Sequence, residues 1–75
     1  MENLQTASAQ AEVAVPLADD LLRGVKRIAR EIGETERRTY YLLENKLLPA
    51  GKQGALWLAS RRAIHEHYAR LTGAV

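Results

Sequence analysis

The chain has 75 residues, no cysteine and a formal net charge of +2 at pH 7. That length allows one small domain, whose core supplies only a few kcal/mol of net stability, which argues against an enzyme built around a deep, water-excluded site. Without thiols there is neither a disulfide framework nor a thiolate metal site to brace the fold, so stability has to come from apolar packing, helix caps and any partner.

The small net charge hides an asymmetry. Residues 1–20 carry Glu2, Glu12, Asp19 and Asp20 and no base, a net −4; residues 21–75 carry all eleven Lys and Arg against Glu31, Glu34, Glu36, Glu44 and Glu66, a net +6. A basic body of this kind favours a polyanionic partner, and the charge split leaves open whether the acidic segment screens it when that partner is absent. Apolar runs such as Ala55-Leu56-Trp57-Leu58-Ala59 are too short to span a membrane. The start Met1-Glu2-Asn3 lacks the basic and apolar blocks of a secretory signal. A cytoplasmic protein is expected.

In chain order, residues 1–20 read as a flexible acidic tail, rich in Ala, Gln, Ser, Thr and Glu. Its more apolar stretch, Val13-Ala14-Val15-Pro16-Leu17, either stays unstructured or adds a strand or meets a partner. Leu21-Leu22 starts the folded part as a short extended piece. Val25, Ile28, Ala29 and Ile32 then fall at i, i+3, i+4 and i+7, one apolar face of a first helix, with Lys26, Arg27 and Arg30 on the other side. Gly33 ends it in the left-handed conformation. Thr35 caps a second helix from Glu36 to Asn45. Thr39, Leu42 and Leu43 face inward; Arg37, Tyr41, Glu44 and Asn45 lie opposite, flanked by Arg38 and Tyr40. Two short helices joined by a glycine-containing turn predict a helix-turn-helix.

Leu48-Pro49-Ala50-Gly51 breaks the helical pattern. A β-hairpin follows, with Gln53-Gly54 as its tight turn and either Leu56 and Leu58 or Trp57 covering the helices. Ser60 caps a last helix from Arg61 to about Thr72, ending at Gly73, with Ile64, Tyr68 and Leu71 as its inward stripe and Ala63 or His67 beside it.

The run Gly33-Glu34-Thr35-Glu36-Arg37-Arg38-Thr39-Tyr40-Tyr41-Leu42-Leu43-Glu44, followed by Leu48-Pro49-Ala50, Gly54 and Trp57, resembles the excisionase and MerR-type winged-helix family over about residues 21–72. It is most similar to the short recombination directionality factors of phages and integrative elements. The resemblance implies a mainly α fold with a small β-hairpin: a winged helix-turn-helix of three helices plus wing over residues 21–73. It puts the second helix in the major groove, with Arg37, Arg38, Tyr41 and, less directly, Tyr40 facing DNA, and Lys52 and Gln53 in a wing along the backbone or minor groove. Two departures stand out. The family commonly has Gly at the place of Lys46, so Asn45 is a candidate for the left-handed residue ending the second helix. It also commonly has Arg at the place of Leu56, which weakens the wing's grip on phosphate.

Weighed singly, Arg37 and Arg38 either read guanine edges in bidentate fashion or form a solvated face paired with Glu34 and Glu36; which of them reads a base stays open. Tyr41 is a candidate donor to phosphate oxygens, whereas Tyr40 reads as a packing residue and a weaker contact. Thr35, which with Lys46 ends the inward side, and Asn45, on the exposed side, are further DNA-contact candidates. Arg27, with Lys26 and Arg30, either touches flanking phosphates or is merely solvated. Arg61 and Arg62 oppose the dipole of the last helix, which points to an anionic neighbour. His65 and His67 are two apart and diverge on a helix, so no metal site is expected, with His67 half-buried beside Tyr68. No nucleophile–base pair, phosphate loop or acid pair stands out; neither catalysis nor a cofactor or small-molecule ligand is expected. The implied partners are double-stranded DNA, an integrase or recombinase, and neighbouring copies of the chain on repeated sites. A transcriptional regulator on the same fold and a protein-interaction module remain the alternatives.

Overall fold

The computed structural model of the protein describes residues 15–74, so the first fourteen residues of the acidic tail, Val13 and Ala14 among them, lie outside the described residues. Seven elements follow in chain order: α1 (Leu17–Asp20), β1 (Leu21–Arg23), α2 (Val25–Ile32), α3 (Glu36–Glu44), β2 (Ala50–Gln53), β3 (Leu56–Ser60) and α4 (Arg61–Leu71). Among the described residues the fold is mixed α/β, with four helices and one three-stranded antiparallel sheet.

The helices begin and end where local chemistry requires. The Thr35 hydroxyl accepts from the Arg38 N–H at 3.0 Å, and the Ser60 hydroxyl accepts from the Ala63 N–H at 3.1 Å, each satisfying a donor that a helix start leaves unpaired. At the far ends, α2, α3 and α4 stop in left-handed residues: Gly33 at φ +71°, Lys46 at +56° and Gly73 at +77°. In each, the next residue's N–H reaches back to a carbonyl of the last turn: Glu34 to Ala29 at 3.0 Å, Leu47 to Leu42 at 2.8 Å and Ala74 to Ala69 at 2.8 Å. These are Schellman-type closures. Asn45, with φ −96°, is not the left-handed residue; Lys46 holds that conformation itself, because the closure requires it one position later.

The sheet differs from a simple hairpin. β3 lies in the middle, paired with β2 on one side and β1 on the other. The expected extended piece at Leu21-Leu22 is therefore a true strand, joined across the chain by the pairs Leu21 with Ser60, Leu22 with Ala59 and Arg23 with Leu58. The β2–β3 register pairs Gln53 with Leu56, which moves the turn one residue on, to Gly54-Ala55. Gly54 stands at φ +68°, which a two-residue turn with Gly first requires.

Leu22, Ile28, Leu42, Leu43, Leu48, Ala59 and Ile64 form the core, with Val25, Ile32, Ala50, Trp57 and Tyr68 packed around it. On β3 it is Trp57 and Ala59 that turn inward, while Leu56 stays 44% exposed. The predicted inward stripes of α2 and α3 match the buried Ile28, Ala29, Thr39, Leu42 and Leu43. That of α4 is shorter than expected: Ile64 is buried and Tyr68 half-buried, but Leu71, in the last turn, is 66% exposed. Thr39 is fully buried, its hydroxyl satisfied by the Thr35 carbonyl at 2.8 Å.

Regular structure is present before Leu21. Leu17–Asp20, placed in the tail by composition, makes one helical turn. Asp20 is tied to the start of α4, accepting from the Ser60 hydroxyl at 2.6 Å and the Arg62 N–H at 3.0 Å.

Candidate functional site

The exposed face of α3 carries two arginines and two tyrosines side by side. Arg37, Arg38, Tyr40 and Tyr41 are all exposed, the tyrosines by 50% and 53%, so Tyr40 does not take the packing role expected of it. All four are exposed because Thr39, Leu42 and Leu43 carry the buried side of the same helix. The Arg38 guanidinium lies 5.8 Å from the centroid of the Tyr41 ring, within cation–π range, so the two side chains form one amphipathic plate. Among the described residues neither Arg37 nor Arg38 has an ion-pair partner; the pairing with Glu34 and Glu36 weighed from sequence does not form.

The ends of this face have local duties. Thr35 is spent on its cap, and the Asn45 side-chain amide donates to the Tyr41 carbonyl at 2.8 Å. Both fix the frame of α3.

Glu44 joins the helix to the hairpin. Its carboxylate raises the Tyr40 hydroxyl above the usual tyrosine pKa, first by hydrogen bonding and then by its charge. Its Oε2 also lies 3.9 Å from Lys52 Nζ on β2. Lys52 Nζ is in turn 5.1 Å from the Trp57 ring centroid. Thus Tyr40, Glu44 and Lys52 meet, and the hairpin is held beside α3. An exposed ion pair of this kind adds little stability, so its consequence is positional. Gln53 ends β2 next to the turn and is exposed; Arg27 is exposed on α2, with no ion-pair partner among the described residues.

The anionic neighbour that Arg61 and Arg62 call for is internal. Arg61 Nε lies 3.2 Å from Glu31 Oε1, and its Nη1 donates to the Asp19 carbonyl at 3.0 Å. His65 Nε2 meets the other Glu31 oxygen at 2.6 Å. The His65 hydrogen bond holds the Glu31 carboxyl below its ordinary pKa, desolvation opposes this, and Arg61 adds to the lowering. Asp20 through its carboxylate and Asp19 through its backbone carbonyl, both assigned to the tail, are thus engaged at the start of α4. His67 packs edge-on against Tyr68 with centroids 5.1 Å apart.

Two features escaped the sequence reading. Lys46 is a left-handed non-glycine residue, and Trp57 Nε1 is buried with no hydrogen-bond partner among the described residues. The first had a signal, a residue other than Gly at a helix end; the second had none, since an indole's partners depend on the fold around it. Comparison of the chain with protein-family models, curated proteins and solved structures found no match. Among the described residues no helix is long and apolar enough to cross a membrane.

Proposed function

We propose that the protein is a non-enzymatic, sequence-specific binder of double-stranded DNA in the winged helix-turn-helix class. α2 and α3 act as the helix-turn-helix, α3 enters the major groove, and the β2–β3 hairpin is the wing beside it. The observation that carries this reading is the Arg37-Arg38-Tyr41 face: exposed, without carboxylate partners among the described residues and flanked by a hairpin lysine. A guanidinium on such a face can pair with O6 and N7 of a guanine, while Tyr41 and Lys52 reach phosphate oxygens and set register. The +6 body supplies the attraction that does not depend on sequence.

Within that class, we read it as an excisionase-type directionality factor of a phage or integrative element, working in the cytoplasm on nucleoid DNA. It would bind repeated sites, bend or coat the DNA, and steer an integrase toward excision. A single small domain that neutralises about five phosphates has a salt slope of about −4.5, which leaves room for neighbouring copies to strengthen binding.

The test is fluorescence anisotropy of the full chain with duplex DNA from beside its own gene against a scrambled duplex of equal length, over a salt series. The native duplex is expected to bind more tightly, and Arg37→Ala or Arg38→Ala to erase the difference at a cost of ~1–3 kcal/mol. Equal binding of both duplexes removes sequence-specific recognition; no binding at moderate salt removes the DNA reading and favours a protein partner.

A further inference from the structure

Between the end of α3 and the hairpin lies a groove of about 320 Å³, with Leu43, Leu48 and Pro49 on its apolar side and Lys46, Lys52 and Trp57 around it. Three observations concern its lining residues. The Trp57 Nε1–H is buried and unpartnered among the described residues, and an indole nitrogen can only donate. Lys46 holds φ +56°, where the equivalent closures of α2 and α4 use Gly33 and Gly73. A long side chain kept in a conformation that glycine would adopt without strain is an outlier of the kind that gathers at binding sites. Lys52 lies over the Trp57 ring, with Glu44 as its sole ion-pair partner among the described residues.

Every polar side-chain group lining the groove is therefore a donor, and two are cations. We propose that the groove seats one phosphodiester of the DNA backbone, with Lys46 and Lys52 supplying charge and Trp57 Nε1–H a directed hydrogen bond. Lys52 is the flexible cover that shifts to admit the phosphate oxygen. The inference rests on the DNA-binding reading above and adds to it: a phosphate held at the C-terminal corner of α3 sets how deep and at what angle the helix lies. It also gives Lys46, which lay outside the candidate contacts drawn from the sequence, a part in binding.

The chain contains one tryptophan, so a ¹H–¹⁵N spectrum of the labelled full chain has a single indole cross-peak. Titration with the duplex preferred in anisotropy should move that peak to a saturating new position. Lys46→Gly should reduce the salt slope by about 0.9, the value for one phosphate, while the native duplex keeps its advantage over the scrambled one. A stationary indole peak in the bound state, or an unchanged slope in Lys46→Gly, overturns the phosphate seat and leaves DNA binding intact. Failure of the unsubstituted chain to bind any duplex removes both.

Discussion

The Asp20 carboxylate accepts the Ser60 hydroxyl at 2.6 Å across a separation of 40 residues, and Ser60 in turn accepts the Ala63 N–H. The N-terminus of α4 is capped by a relay that starts in α1. With Asp20 also taking the Arg62 N–H, and Glu31 taking Arg61 and His65, carboxylates offset the two arginines that open this helix against its dipole.

Acid should therefore weaken the fold through these two carboxyls. Asp20 is held below its ordinary value of 3.8, first by the Ser60 hydrogen bond and then by the Arg62 N–H. Glu31 is held below 4.5, chiefly by His65. A carboxyl with a lower pKa in the folded state contributes stability that is complete above its unfolded value. That contribution is lost as pH falls through the folded value. The expected melting temperature is flat with respect to these groups above about pH 5 and falls below it. Asp20→Asn and Glu31→Gln should lower it at neutral pH and make the acid limb shallower. Circular-dichroism melts at a series of pH values check this; an acid limb of unchanged steepness in both variants would refute it.

Lys46→Gly should stabilise the protein. A non-glycine residue in the left-handed region costs ~1–2 kcal/mol, part of which returns as the greater chain entropy of glycine when unfolded. The net expectation is a gain of ~0.5–1 kcal/mol in urea unfolding. Gly33→Ala is the mirror experiment. A Cβ there meets nothing within 4 Å, so its loss of ~1 kcal/mol would report backbone conformation alone.

Removing the Glu44 charge should tighten DNA binding roughly two- to fivefold at low salt, the order expected for one like charge a few ångströms from phosphate in a water-like medium. Glu44→Gln frees Lys52 and takes a carboxylate from beside the helix face. The same variant should bring the Tyr40 phenol back down toward its ordinary 10.0. Anisotropy and an ultraviolet titration read the two effects separately, and a weaker complex would count against α3 and the hairpin acting on one polyanion.

Ile64→Ala should cost ~2–5 kcal/mol. Ile64 is 1% exposed and belongs to the core, so its loss leaves a cavity under α4. Leu71→Ala, at a position 66% exposed, should stay within about 0.5 kcal/mol. Comparable losses at the two positions, measured by chemical unfolding, would contradict the observed packing of α4.

Much of this protein is legible from neighbouring residues. The apolar spacing of Val25, Ile28, Ala29 and Ile32, the caps Thr35 and Ser60, and the stop at Gly33 each act within one or two helical turns. A helix depends on interactions of that range, so α2, α3 and the start of α4 were readable from sequence. The exposed face of α3 followed, because burying Thr39, Leu42 and Leu43 leaves Arg37, Arg38 and Tyr41 outside.

What tertiary structure decided involves pairs distant in sequence. The partner of Leu21 is Ser60, the partner of Asp20 is the start of α4, and the neighbour of Arg61 is Glu31. Alternation along β3 separated Leu56 from Trp57 without saying which faced inward, since a strand's period fixes relative sides only; contact with Leu48, Ile64 and their neighbours put Trp57 and Ala59 on the core side. Composition likewise assigned Asp19 and Asp20 to a solvated tail, yet an unpaired helix N-terminus close in space drew one carboxylate in. Local propensity acts through bonded geometry and a few residues of chain, whereas these contacts exist only once loop closure has brought their partners together.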